Sequence, residues 1–319
     1  MSKETLFLIN PVSGGRSGIR LKEILDGLLA GLGMRESCET AFTTPDGHLN
    51  TSRDLADYGT AIVAGGDGTV ARIVQKLAGL EKKPRLGIIP CGTGNDLARV
   101  TGAYRLYSQK GLKALVEALL AGKTQPLDVF SVNEKLYFTN YCGIGLDARI
   151  SNDFNLKRNA PFLHAVAACV GGRAAYPWFA AGNLFFRIPF ALELVCADEG
   201  KQPRMLQLGA GARQVLITGI PSYAAGARPS HNCHLADGLF EVTVIETLWQ
   251  WFMLHLTRFA PVTLPQLLPS ITQIRTAELI LRFSGSTCFQ ADGELYADFP
   301  PEGQDLTVKH ATQIELIFI

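Results

Sequence analysis

The chain has 319 residues, with 30 Lys plus Arg against 29 Asp plus Glu, 47% hydrophobic residues and 18% charged ones. That length predicts two domains, because single cores stop growing near roughly 250–300 residues. A net charge of +1 excludes the basic excess of a nucleic-acid binder, and the apolar fraction excludes an intrinsically disordered chain.

The first part of the chain alternates strand and helix signals. Thr5–Asn10 is an apolar strand that runs into the turn Asn10-Pro11-Val12-Ser13-Gly14-Gly15. Leu21, Ile24, Leu25, Leu28, Leu29 and Leu32 follow at the spacing of one helical face. Ala61–Ala64 is a second buried strand, ending in Gly65-Gly66-Asp67-Gly68-Thr69, and Val70, Ile73, Val74 and Leu77 mark the next helix. Arg85–Ile89 is a third strand, ending in Pro90-Cys91-Gly92-Thr93-Gly94-Asn95-Asp96, and a further helix carries Leu112, Leu115, Val116, Leu119 and Leu120. Repeated strand–turn–helix units predict an α/β domain with a mainly parallel sheet. After Asp128 the pattern changes. Leu239–Ile245, Glu278–Phe283 and Ile314–Ile319 alternate apolar and polar residues, which predicts a β-rich, antiparallel, sandwich-like second domain.

Charge is unevenly spread: Asn159–Leu192 contains only Arg173 and Arg187, and Thr247–Ile274 only Arg258. The uncharged run Phe259–Ile274 carries three prolines, and no segment reaches the roughly 20 unbroken apolar residues of a membrane span. The N-terminus enters a strand pattern directly with no cleavage site, so a cytoplasmic location is expected. The seven cysteines stand singly with no CxxC pair and are expected to be reduced. His231, Cys233 and His234 lie close together, but no second ligand pair at zinc spacing supports a zinc site.

All three glycine-rich turns follow strands, and ligands bind outside the carboxyl ends of strands in open α/β sheets. Glycine lets the backbone approach phosphate oxygens, and a following helix offers unpaired N–H groups. Three such turns on one sheet edge predict a polyphosphate site, most simply a nucleotide. An acidic residue beside a phosphate needs a cation between them. Asp67 is therefore a candidate Mg2+ ligand, or else a helix cap, and Asp96 faces the same choice.

NPVSGG, GGDGT and PCGTGNDLAR, in that order and each after a strand, resemble the catalytic domain of diacylglycerol kinases and related lipid kinases. Asn140–Arg149, Ile220–Gly226 and Ala236–Leu239 resemble the accessory region of the same family, and Ala291-Asp292-Gly293-Glu294 resembles its DGE motif. The resemblance implies an α/β nucleotide-binding domain of NAD kinase/diacylglycerol kinase type over residues 1–128, completed by about 296–319. A β-rich lipid domain would occupy 129–295, with the active site in the cleft between them. It implies an ATP- and Mg2+-dependent lipid kinase acting on a neutral lipid hydroxyl, diacylglycerol first, with a ceramide or sphingoid base as the alternative acceptor. NAD kinase and an inactive lipid-binding protein are weaker alternatives.

Carried onto this sequence, the resemblance places Asn10, Ser13, Gly14, Thr43, Thr44, Gly65, Gly66, Asp67, Gly68, Thr69, Gly92, Thr93, Gly94 and Asn95 around ATP. Asp67 would organise Mg2+ with Asp96 and Asp128. Glu294, beside Asp292, would be the base, and Asp237 with the carbonyls of His234 and Leu239 would match a structural metal site. Arg72 stands where bacterial members often have a glutamate, and His234 where some relatives have a second acidic ligand. In an extended segment Asp292 and Glu294 would share a face; a β-turn at Asp292-Gly293 is the other reading.

Thr247–Phe259 gathers Trp249, Trp251, Phe252, Leu254, Leu256 and Phe259, and Asn159–Phe190 adds Phe162, Trp178, Phe179, Phe185 and Phe186. These aromatics are either buried core, the commoner fate, or a surface that meets lipid. The expected partners are ATP and a lipid at a membrane surface, reached by peripheral association. No nucleic acid or transmembrane segment is expected, and a second copy of the chain is a candidate partner.

Overall fold

The computed structural model describes residues 4–44, 51, 53–157, 181–198, 202–285, 287–296, 299 and 303–319. It divides into two compact units, Met1–Val129 with Ala311–Ile319, and Phe130–His310.

In the first unit, β1 (Thr5–Ile9), β2 (Cys38–Phe42), β3 (Thr60–Gly65) and β4 (Arg85–Pro90) form a parallel sheet in the order β2-β1-β3-β4. The C-terminal part of β16 (Leu306–Phe318) adds alongside β4, with Leu316 opposite Leu86. Helices α1 (Ser13–Arg16), α2 (Gly18–Gly31), α3 (Asp67–Ala78), α4 (Asp96–Val100) and α5 (Ala103–Ala121) intervene. Every residue of β1 and β3 is buried, because a crossover sheet is covered on both faces. Such strands read as unbroken apolar runs. The exception is β2, whose CETAF sequence is only partly buried and gives no such run. Register places Ile9 beside Ala64 and Ala64 beside Ile89, so the three glycine loops leave the sheet at one level.

The chain enters the second unit within β5 (Lys123–Val132) and returns within β16. The second unit contains β6 (Leu136–Phe138), β7 (Tyr141–Gly145), α6 (Leu146–Lys157), β8 (Leu192–Ala197), β9 (Arg204–Leu208), β10 (Gln214–Thr218) and β11 (Phe240–Ile245). Then come α7 (Leu248–Leu256), α8 (Leu264–Leu267), β12 (Thr272–Thr276), β13 (Glu278–Phe283), β14 (Phe289–Ala291) and β15 (Glu294–Tyr296). One sheet is antiparallel in the order β12-β11-β10-β7-β14-β15; the N-terminal part of β16, β13, β8 and β9 form another. Side chains from both sheets, among them Ile144, Val215, Val242, Leu194, Leu281 and Val308, share one core.

The alternation in Leu239–Ile245 predicts a half-exposed strand, yet all six residues of β11 are buried. A second apolar cluster, with Leu216, Tyr223, Ile245, Met253 and Leu254, covers the other face of that sheet. Among the described residues no helix is long and apolar enough to cross a membrane. The six described cysteines form no disulfide.

Candidate active site

The three glycine loops of the first unit are tied to one another by backbone contact. Asn10 donates from Nδ2 to Thr69 Oγ1 at 2.8 Å, and its Oδ1 accepts from the Val12 amide at 3.0 Å. The Cys91 amide donates to the Gly65 carbonyl at 2.9 Å. A Cβ on Gly92 would lie 2.4 Å from the Gly66 Cα, so a side chain at that crossing would drive the two loops apart. The Thr43 amide donates to the Ile9 carbonyl at 2.9 Å, which brings the end of β2 beside Asn10. Thr93 is exposed at the tip of its loop, and Ser13 is half-buried.

Asp67 is the hub of this arrangement. Its two carboxylate oxygens accept from the amides of Asn95, at 2.7 Å, and Asp96, at 2.8 Å. It is therefore a helix cap, but for α4 across the sheet edge, not for α3, whose N-cap Gly66 has no side-chain bond. Asn95 holds the loop in a left-handed turn (φ 54) and bonds Gly92 through both side-chain atoms. A Cβ on Gly94 would meet Asp67 Oδ2 at 2.5 Å and Asp96 Oδ2 at 3.4 Å, so both carboxylates converge on that glycine. Arg99, absent from the sequence-derived set, braces the loop by donating to the Gly94 carbonyl at 3.0 Å. Its place directly after GTGNDLA was the available signal. Burial pushes the Cys91 thiol up to about 11, which favours the protonated form at neutral pH.

Among the described residues, no group of three or more His, Cys, Asp or Glu side chains is arranged to hold a metal. Two converging carboxylates nonetheless fit Mg2+, which keeps several waters and takes other ligands from phosphate. Asp128, in β5, is buried and accepts from Gln313 Nε2 at 2.8 Å.

In the second unit, Asp292 and Gly293 form the two-residue turn between β14 and β15, both with positive φ (49 and 81). This is the hairpin geometry that Asp-Gly favours, and it separates the two carboxylates that an extended segment would align. Asp292 is fully buried and accepts from the amides of Thr139, Asn140 and Tyr141 at 3.0, 2.8 and 3.0 Å. Burial pushes its carboxyl up to about 6, against the opposing effect of those three bonds. Glu294, half-buried, stands opposite Ala291 at the start of β15. The turn residue is thus an anchor, and Glu294 is the carboxylate it positions.

Asp147 was not among the expected site residues, although its motif was. It is buried and accepts from Tyr223, from Trp251 Nε1 at 2.9 Å and from Gln214 Nε2 at 3.3 Å. It joins two accessory motifs to α7.

At the metal site expected at Asp237, His234 and Leu239, the Asp237 carboxylate has protein partners of its own. Arg275 pairs with Asp237 Oδ2, and Asp237 Oδ1 accepts from the Leu239 amide at 3.0 Å. The same guanidinium lies 3.5 Å from the buried Glu241, its cross-strand neighbour, whose carboxyl burial still pushes up to about 7. A divalent cation at Asp237 would compete with Arg275 for the carboxylate. Mg2+ should accordingly raise the melting temperature equally in wild type and Asp237→Asn, and Arg275→Met should melt several degrees lower in Mg2+ and EDTA alike. A cation-dependent rise that Asp237→Asn abolishes would restore the metal site.

Two family models match, the diacylglycerol kinase catalytic domain over residues 4–132 and the diacylglycerol kinase accessory domain over residues 137–295. This chain belongs to the diacylglycerol kinase family. A diacylglycerol kinase of Bacillus subtilis (strain 168) is 38% identical over 106 residues, covering 33% of this chain and 33% of that protein. A diacylglycerol kinase of Staphylococcus carnosus (strain TM300) is 28% identical over 158 residues, covering 49% of this chain and 50% of that protein. The matches thus span a third to a half of these curated relatives. The crystal structure of a diacylglycerol kinase from Bacillus anthracis str. Sterne shares the fold at a TM-score of 0.64 and 19% identity, over 99% of this chain and 97% of that one.

Proposed function

We propose that this protein is an ATP- and Mg2+-dependent lipid kinase that phosphorylates a neutral lipid hydroxyl, with diacylglycerol converted to phosphatidate as its first substrate. The observation that carries the reading is the Asp67 carboxylate tying the GGDGT and GTGND loops at the carboxyl ends of adjacent strands. Phosphoryl transfer is mostly positioning and charge neutralisation; this edge would supply the positioning, and a cation held by its carboxylates the neutralisation. Asn10, Ser13, Gly14, Thr43, Thr44 and the loops Gly65–Thr69 and Gly92–Asn95 would bind the nucleotide. Asp67, with Asp96 and Asp128, would hold Mg2+, which when bound neutralises charge on the phosphate oxygens.

Glu294 would take the proton from the lipid hydroxyl as its oxygen forms the new bond to the γ-phosphorus. The bond from that phosphorus to the β–γ bridging oxygen breaks, and ADP leaves. The enzyme works at a membrane surface by peripheral association, since its acceptor resides in a bilayer.

The test is transfer from labelled ATP to diacylglycerol, monoacylglycerol, ceramide, sphingosine and NAD, each with Mg2+ or EDTA. Label in phosphatidate, lost in EDTA, is expected. Label in a phosphorylated ceramide or sphingoid base alone would reassign the acceptor, and label in NAD alone would sink the lipid reading.

A further inference from the structure

The helix α7 has two faces of opposite character. Its inner face is pinned. Trp251 donates to the buried Asp147, Met253 and Leu254 pack into the cluster with Tyr223 and Ile245, and the His255 ring meets Trp251 at 4.3 Å. Both ends are fixed as well. Thr247 and Gln250 close a reciprocal capping box at the start, and the Thr257 hydroxyl accepts from the Arg228 amide at 2.8 Å beyond the end.

The outer face carries Trp249, Phe252, Leu256 and Phe259, which are 60, 54, 40 and 83% exposed. Their spacing of three, four and three residues puts them on one stripe that continues into the short turn Thr257–Phe259. The Trp249 and Phe252 rings stack at 6.2 Å. Four large apolar side chains held rigidly in water mark a surface that something covers.

Charge selects the occupant. From Thr247 to Ile274 there is no Asp or Glu, and Arg258 is the only charged side chain. Its guanidinium lies 2.7 Å from His255 Nδ1, beside the stripe. A protein-binding patch normally carries a polar rim. Exposed tryptophan and phenylalanine flanked by Arg258, with Glu246 outside the helix at its start, suit the headgroup boundary of a bilayer instead. There the rings reach the acyl region and the cation reaches phosphate.

We infer that the Trp249–Phe252–Leu256–Phe259 stripe is the surface by which this protein docks on a lipid bilayer, with Arg258 at a headgroup phosphate. The choice of partner rests on the lipid-kinase reading; the stripe itself does not.

The test uses the full chain and sedimentation with vesicles of phosphatidylcholine and phosphatidylglycerol, without ATP. In Trp249→Ser/Phe259→Ser, vesicle partitioning should fall by about 10-fold or more, with the melting temperature close to wild type. Trp251→Ser should instead melt lower, since it loses the Asp147 anchor. Turnover of long-chain diacylglycerol in vesicles should fall with binding, and turnover of a dispersed short-chain diacylglycerol far less. Undiminished vesicle binding in the double variant overturns the assignment, as does a wild-type protein that stays in the supernatant. A wild-type dimer that the double variant dissociates would show the stripe to be a self-association face. If the double variant loses vesicle binding but wild type phosphorylates neither substrate, the kinase reading fails and the docking surface stands.

Discussion

Asp67→Ala is expected to abolish phosphoryl transfer and to destabilise the nucleotide-binding unit at the same time. The carboxylate caps α4 from another strand's loop, accepting the Asn95 and Asp96 amides that open that helix. Hydrogen bonds to a charged group contribute roughly 1.5–3 kcal/mol each when buried, and a lost cap costs about 0.5–2 kcal/mol. Asp67 is only half-buried, so a total of about 2 kcal/mol at the low end of both ranges is the reasonable expectation. Activity should fall much further, by roughly 10³ or more, because positioning and charge stabilisation fail together. Asp67→Asn separates the two roles. Its amide oxygen can still accept one N–H, so it should melt between alanine and wild type. It lacks the charge that Mg2+ requires, so its turnover should fall nearly as far as that of alanine. Melting curves and transfer from labelled ATP check both variants. Wild-type turnover in Asp67→Asn would remove Asp67 from the metal role and leave it a structural cap.

What the sequence made legible follows from how each element signals itself. Strands β1 and β3, buried on both faces, appear as continuous apolar runs, and the glycine turns after them mark where the sheet edge opens. Strand β2 carries no run of that kind, because Glu39 and Thr40 are only half-buried. Long-range pairings leave no local trace. The partners of Asp67 lie 28 and 29 residues on, and Asp147 meets Trp251 across 104 residues. For that reason the aromatic stretch after Thr247 could not be divided by spacing alone into its exposed and core-facing rings. Trp249 is exposed and Trp251 is anchored, two positions apart on one helix. The same limit applies at Asp237. A family motif implied a cation there, and the cation next to it is Arg275, from a strand 38 residues downstream. At Asp292-Gly293 the sequence held both answers, and the positive φ of both residues decides for the turn.

That turn sets up a contrast between neighbouring carboxylates. Glu294→Gln should lower turnover by roughly 10²–10⁴, the range a positioned general base supplies, with nucleotide binding and melting temperature near wild type. Glu294 is half-buried at the start of β15, and glutamine keeps its shape while removing the charge. Asp292→Ala should also be nearly inactive, but for a different reason. It strands the amides of Thr139, Asn140 and Tyr141 in a fully buried site, a cost of about 3 kcal/mol that displaces the hairpin carrying Glu294.

The pH dependence tells the two apart. Burial raises the Asp292 carboxyl to about 6, above its unfolded value near roughly 4. The folded unit therefore binds a proton that the unfolded chain has released between those values. The stability this contributes is complete below about pH 4 and is lost as pH rises through about 6, on the order of 3 kcal/mol. Asp292→Asn cannot titrate, so its melting deficit relative to wild type should narrow between about pH 5 and about pH 7.5. A pH-independent gap for Asp292→Asn would mean that Asp292 is charged throughout, and near-normal turnover in Glu294→Gln would take the proton-accepting role away from Glu294.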